Sequence, residues 1–350
     1  MRAARMTKAA ALLLAGSLAL AACASDEKSG GSASGKSSGG DLKIGLAYDT
    51  GGRGDRSFND SAYAGVQAAV KDHGGKFSEL TPNADASNRA DLLTQLADQG
   101  YNPIIAVGFA YGDDVAKVAA QYPDTSFAIV DSSVTAAGLD NLTGLLFAAN
   151  EGSYLAGVAA ALKSTSGHIG FVGGVDTGLI HNFQVGYEAG AKAAKPDIKI
   201  DTQYISPEGD FSGFSDPAKG QIVAKGMYDA GADIVFQVAG GSGLGVFQAA
   251  AASNKRAIGV DSDQYNTVDD PALQAVIMTS TLKRVDNSVQ AYIDDFVDGG
   301  VTGGKDVISD LKTDGVGLAT SGGFIDDIKT QIDDYKKKII DGTIKVPSAS

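Results

Sequence analysis

From Leu42 onward, apolar runs of four to seven residues alternate with longer stretches in which apolar positions recur every three or four residues. The short runs predict strands over 42–48, 76–80, 103–107, 126–130, 142–147, 168–172, 198–204, 233–238, 257–260, 275–279 and 315–318. The periodic stretches predict helices over 59–72, 86–99, 112–121, 150–163, 179–194, 215–230, 243–252, 284–298 and 325–340. Strands alternating with helices imply parallel sheets covered on both faces, the α/β class. The strand–helix series runs once from Leu42 to Phe147 and again from His168 to Val260, which predicts two Rossmann-like lobes better than one very wide sheet. About 310 residues also exceed what one core comfortably fills.

Before Leu42 the pattern changes. A basic start (Arg2, Arg5, Lys8) leads into an apolar body from Ala9 to Leu20, and Leu20-Ala21-Ala22-Cys23 ends it with small residues and the sole cysteine of the chain. A body of about a dozen residues is too short to cross a bilayer. The segment 1–22 therefore reads as a lipoprotein export signal, with Cys23 as the cleavage and acylation site and acyl chains as the only hold on the membrane. Residues 23–40 are nearly all Ser, Gly, Ala, Lys and acids, which predicts a flexible tether, with folding from Asp41. The expected place is the outer face of a cell membrane.

Charge narrows the partners. Of the 29 basic residues three fall in the signal, leaving 26 against 42 acidic ones, a mature net charge of −16. Such a surface disfavours nucleic acid and anionic lipid.

In doubly wound sheets ligands bind beyond the carboxyl ends of the strands. Here those ends read Asp49-Thr50-Gly51-Gly52-Arg53-Gly54-Asp55-Arg56-Ser57-Phe58-Asn59, Gly108-Phe109-Ala110-Tyr111, Asp131-Ser132-Ser133, Gly173-Gly174-Val175-Asp176, Gly240-Gly241-Ser242-Gly243 and Asp261-Ser262-Asp263-Gln264. Carboxylates, glycines and aromatics dominate, and cations are few. That rim suits a neutral ligand bearing hydroxyls or ring nitrogens, because a carboxylate accepts strong charge-assisted bonds from OH and NH groups. Phe58 is as consistent with a helix-start staple as with a stacking platform.

Other motifs fall short of their chemistry. Gly241-Ser242-Gly243-Leu244-Gly245-Val246, with Asp261 twenty residues after Gly241, lacks the last glycine of a dinucleotide loop. Asp261-Ser262-Asp263-Gln264-Tyr265-Asn266 lacks the glycine and glutamate of a calcium loop. His73, His168 and His181 have no zinc spacing, and Arg53-Gly54-Asp55 is too short to carry weight. No nucleophile–base pattern emerges, so no catalysis, cofactor or metal is expected.

Five stretches in order, Asp55-Arg56-Ser57-Phe58-Asn59, Glu151-Gly152-Ser153-Tyr154-Leu155-Ala156-Gly157, Gly213-Phe214-Ser215-Asp216-Pro217, Gly259-Val260-Asp261-Ser262-Asp263-Gln264 and Thr279-Ser280-Thr281-Leu282-Lys283-Arg284-Val285-Asp286, resemble the basic membrane protein family of lipoproteins, also called the purine nucleoside receptor A family. The resemblance runs from about Lys43 to Lys345. It implies a type I periplasmic-binding-protein fold, two lobes joined by a three-stranded hinge, serving an ABC permease. The implied lobes are 41–148 plus 282–313 and 149–281 plus 314–350. It implies a purine nucleoside stacked between Phe58 and Phe214, with Phe211 a near rival for the second place. Asn59 and Asp131 match positions that bind the base, Asp261 and Lys283 positions that bind the ribose, and Gly240 a backbone contact. Asp49 and Ser57 are second choices, and Phe109, Tyr111 and Phe183 are alternative aromatic walls. A monomeric uptake receptor is expected. A sugar receptor of the same architecture and a signalling receptor without transport remain open. A helix-turn-helix, which a regulator with this body would carry, has no place beside the export signal.

Overall fold

The computed structural model describes residues 42–349, so the signal, Cys23 and the tether lie outside the described residues. Twelve strands form two six-stranded sheets. The first holds β1 (Lys43–Ala47), β2 (Lys76–Leu80), β3 (Ile104–Ala106), β4 (Phe127–Val130), β5 (Leu142–Phe147) and β11 (Lys305–Ser309) in the order β11-β5-β4-β3-β1-β2, all parallel. The second holds β6 (His168–Val175), β7 (Lys199–Ser206), β8 (Ile234–Val238), β9 (Arg256–Asp261), β10 (Ile277–Lys283) and β12 (Val316–Leu318) in the order β12-β10-β9-β8-β6-β7, with only β12 antiparallel. The α/β class read from the alternation is the observed one.

Helices α1 (Phe58–His73), α2 (Arg89–Asp98) and α3 (Gly112–Gln121) connect strands of the first sheet. Helices α4 (Ala149–Lys163), α5 (Gly178–Ala194), α6 (Pro217–Asp229), α7 (Gly243–Ala252), α8 (Gln264–Thr267) and α9 (Pro271–Gln274) belong with the second, and α10 (Val285–Val297) and α11 (Lys329–Ile340) follow. None of the described helices is long and apolar enough to cross a membrane.

Burial explains the strand sequences. β3, β4, β6 and β8 are buried along their whole length, as parallel strands covered on both faces must be, so they read as runs of small and apolar residues, broken only by His168 at the start of β6 and by Gln237 in β8. Where helices meet, glycine sets the distance. A Cβ at Gly190 of α5 would stand 1.9 Å from the Tyr154 carbonyl of α4, and one at Gly157 of α4 would stand 2.0 Å from the Tyr187 carbonyl of α5.

The chain crosses between the sheets three times: from β5 into α4, from β10 into α10, which packs on α1, and from β11 to β12. Two differences from the sequence reading touch these crossings. β10 runs to Lys283 instead of stopping at Thr279, so Lys283 ends a strand and does not open a helix. β11 had no apolar run to announce it, because it is an edge strand with a half-exposed, mixed sequence, Lys305-Asp306-Val307-Ile308-Ser309.

Candidate functional site

The carboxyl ends of both sheets face one cleft. Asp49, Phe58, Asn59, Asp131, Phe214, Gly240, Asp261 and Lys283 all line it. Ser57 stands immediately behind, its Oγ 2.9 Å from Asp261 Oδ2 and 3.0 Å from the Val260 carbonyl. Thus residues spread over more than two hundred positions of sequence converge on one space.

The loop after β1 is organised by Asp55, whose carboxylate accepts the backbone N–H groups of Ser57 (3.0 Å), Asn59 (2.8 Å) and Asp60 (3.2 Å). It thereby satisfies donors at the start of α1 that the helix leaves open. Burial pushes the Asp55 carboxyl up to about 6, against those three donors. With its acid engaged in this way, the Arg53-Gly54-Asp55 tripeptide is a turn and not a presented motif. Asn59 Oδ1 accepts the Asp49 N–H at 2.9 Å, which ties the end of β1 to α1 and leaves the amide NH₂ of Asn59 free of protein partners among the described residues.

The charged centre is Lys283. Its Nζ donates to Asp131 Oδ2 at 2.6 Å, lies 3.5 Å from Asp261 Oδ1, and stands 4.3 Å from the centre of the Phe58 ring. Burial alone would lower the ammonium, yet Asp131 and Asp261 together hold it above its ordinary value, so it is charged. Burial raises the Asp131 carboxyl, with the pull of Lys283 opposing it. Asp261 Oδ1 is buried without a hydrogen-bond partner, an acceptor that a ligand hydroxyl would complete.

Phe214 belongs to a short helical turn, Phe211–Phe214, that follows β7. Its ring rests on Gly174, where a Cβ would come within 2.5 Å of it, so no larger residue fits beneath the ring. Gly240, at φ 53°, brings its backbone under the Phe214 carbonyl. Phe211 points elsewhere, packing on Phe109 at 5.9 Å between ring centres and under the Arg89 guanidinium at 4.8 Å. Of the alternative walls, Phe109 and Phe183 line the cleft, whereas Tyr111 is fully buried and donates its hydroxyl to the Tyr48 carbonyl.

Sequence reasoning placed Thr50 on the rim without singling it out, and missed Leu179, Ile180, Val238 and Val260, which also line the cleft, and Arg89, which stands behind Thr50 and Asp49. The apolar ones carry no local signal, since a core residue and a cleft wall look alike in sequence. The glycines of the tempting dinucleotide loop have packing work instead: a Cβ at Gly245 would stand 1.8 Å from the Pro217 carbonyl of α6. His73, His168 and His181 sit apart, each against its own aspartate, Asp294, Asp201 and Asp176.

The two sides of the cleft are also bonded to each other. The Arg56 carbonyl accepts from Gln264 Nε2 (3.2 Å) and Thr267 Oγ1 (3.0 Å), Ser262 Oγ donates to the Ser57 carbonyl (3.0 Å), and the Arg56 guanidinium meets Asp269 at 2.5 Å. The geometry is that of a closed cleft offering two aromatic faces, a cation and several carboxylates.

Comparison with known proteins fits this geometry. The family model for the PnrA-like ABC transporter substrate-binding proteins matches residues 42–350. The chain is 38% identical over 360 residues to the ABC transporter nucleoside-binding protein BmpA of Lactococcus lactis subsp. cremoris, covering 98% of this chain and 99% of the relative. It is 36% identical over 363 residues to the CD4+ T-cell-stimulating antigen of Listeria innocua, covering 97% of each. Among solved structures, an ABC transporter solute-binding protein from Aeropyrum pernix superimposes with a TM-score of 0.76 at 29% identity, over 87% of this chain and 94% of the other. The chain belongs to the PnrA-like family of ABC transporter substrate-binding proteins.

Proposed function

We propose that this chain is a lipid-anchored receptor on the outer face of the cell membrane, held at Cys23, that closes on a purine nucleoside and presents it to an ABC permease. The observation that carries the reading is the pair of phenylalanines in one cleft, Phe58 from the first-sheet side and Phe214 from the second, with the Lys283–Asp131–Asp261 cluster beside them. Two ring faces favour a flat base, each stack contributing roughly 1–3 kcal/mol. Asp261 suits vicinal hydroxyls as an acceptor, and Lys283 donates while balancing the acids. The relative named as nucleoside-binding adds support.

The lobes in this reading are 41–148 plus 282–313 and 149–281 plus 314–350, the three crossings act as the hinge, and the receptor works as a monomer. The ligand closes the cleft because only it bridges both sides, and the permease recognises the closed form.

Calorimetric titration of the unfolded and refolded protein with guanosine, inosine, adenosine, uridine, free adenine and ribose tests this. The expected result is tight binding of purine nucleosides, much weaker binding of adenine and ribose alone, and loss of roughly tenfold or more in Phe214→Ala. Binding of a free sugar in preference to every nucleoside would replace the reading with a sugar receptor.

A further inference from the structure

Arg89, the first residue of α2, is 7% exposed and only loosely paired. Its nearest acid is Asp49, with Nη2 3.9 Å from Oδ1, its best polar contact is Thr50 Oγ1 at 3.5 Å, and its Nε has no partner. A buried guanidinium is costly unless it serves a nearby anion. Asp49 is that anion. Its Oδ1 accepts the Thr50 N–H at 2.7 Å, and its Oδ2 accepts no hydrogen bond from the described residues. Gly108, at φ 103°, lies so close that a Cβ there would stand 2.4 Å from Oδ2, so only glycine leaves room for the carboxylate where it stands.

The position of Asp49 matters as much as its partners. It follows β1 and Asp131 follows β4, with β3 between them, so the two acids stand about two strand spacings, ~10 Å, apart. Lys283 and its acids therefore mark the hinge-side end of the cleft, and Asp49 backed by Arg89 marks the other. Were the ribose hydroxyls of a nucleoside at Asp261 and Lys283, the remaining length of the cleft would put its base beside Asp49.

We propose that Asp49 reads the Watson–Crick edge of the base and that Arg89 is the positioning residue that holds Asp49 as a charged acceptor, so that the cleft takes 6-oxopurine nucleosides in preference to adenosine. The inference rests on the nucleoside reading above. Guanine presents two donors side by side, N1–H and the N2 amino group, which match the two oxygens of one carboxylate. Hypoxanthine presents N1–H alone. Adenine presents a donor at N6 but an acceptor at N1, and that lone pair faces a carboxylate oxygen with nothing between them. The order of affinity is guanosine, inosine, adenosine.

The test is calorimetric titration of the refolded protein and its variants with these three nucleosides at neutral pH, with melting curves to verify folding. Wild type binds guanosine roughly 10- to 100-fold more tightly than adenosine. Asp49→Asn is close in shape and offers one acceptor and one donor, the complement of adenine, so the guanosine-to-adenosine ratio falls at least tenfold or inverts. Arg89→Lys keeps most of the preference, whereas Arg89→Met loses it and regains part of it at higher pH, as the unsupported acid ionises. Equal binding of guanosine and adenosine by wild type, or an unchanged ratio in Asp49→Asn, overturns the inference while leaving the nucleoside reading in place. Silence toward all three nucleosides overturns both, and should Arg89→Met fail to fold, the Asp49→Asn ratio decides alone.

Discussion

Asp131 and Asp261 occupy matching places in their respective sheets, at the carboxyl end of the third strand from the same edge, and both adopt the left-handed conformation, at φ 67° and 64°. That backbone is unfavourable for a residue with a side chain, by roughly 1–3 kcal/mol, less for aspartate, and it persists where the surroundings demand it. Here it turns both carboxylates onto one lysine. Asp49 and Asp55 add a second property of the site, since burial pushes each up to about 6 from a usual 3.8. Asp49 accepts the Thr50 N–H beside Arg89 and feels the charges of Asp131 and Lys283 farther along the cleft, and Asp55 faces the N–H groups of Ser57, Asn59 and Asp60 and the Asp60 carboxylate. Because the folded chain binds these protons more readily than the unfolded chain, the contribution of both groups to stability is poorest above pH 6 and improves as pH falls from about 6 toward about 4. Melting temperatures at about pH 7.5 and about pH 5 check this: Asp49→Asn removes one titrating group, so its stability gains less on acidification than wild type does. An identical gain in the two proteins would count against the assignment. Much of this site was legible, since Phe58, Asn59, Asp131, Gly240 and Asp261 follow strands whose apolar runs are plain. Arg89 was not, because nothing local separates a buried arginine at a helix start from a solvated one. Its position beside Asp49 depends on α2 packing back over the end of β1.

At the level of elements, buried parallel strands announced themselves and edges did not. β3 and β4 are continuous apolar runs, whereas β11 shows no run because half of it faces solvent. The tail of β10 beyond the predicted strand, Ser280-Thr281-Leu282-Lys283, carries no apolar run because it is polar, but its hydroxyls are buried against neighbouring backbone: Thr281 Oγ1 donates to the Gly259 carbonyl at 3.4 Å and Ser280 Oγ accepts the Gln264 N–H at 3.1 Å. The α4–α5 contact gives a prediction at this scale. Gly190→Ala would place a methyl group 1.9 Å from the Tyr154 carbonyl, so the helices must separate. The expected loss is roughly 1–3 kcal/mol of stability in a urea titration. A variant as stable as wild type would show that the helices yield more easily than their packing indicates.

For the whole molecule, the alternation of strands and helices gave the two sheets, while the three crossings followed from a resemblance and not from any pattern in the residues. The bonds across the cleft supply a test of closure that leaves the ligand contacts alone. Thr267 does not line the cleft, yet its hydroxyl holds the Arg56 carbonyl at 3.0 Å from the opposite side. Thr267→Val removes that bond, at a cost of about 1 kcal/mol to the closed form. Nucleoside affinity should fall roughly fivefold, and small-angle scattering of the free protein should shift toward a larger radius. If neither changes, the bonds across the cleft do not govern closure.

The single lysine shared by Asp131 and Asp261 sets one further boundary. With two carboxylates against one ammonium, and Asp49 and Asp55 nearby, the cleft has no positive charge to spare for a phosphate. A 5′-monophosphate would bring about two more negative charges into a space already short of cations, whereas an uncharged nucleoside brings none. On the nucleoside reading the cleft would act as a filter for dephosphorylated material: titration should find nucleotides excluded, and the affinity for the neutral ligand nearly indifferent to added salt.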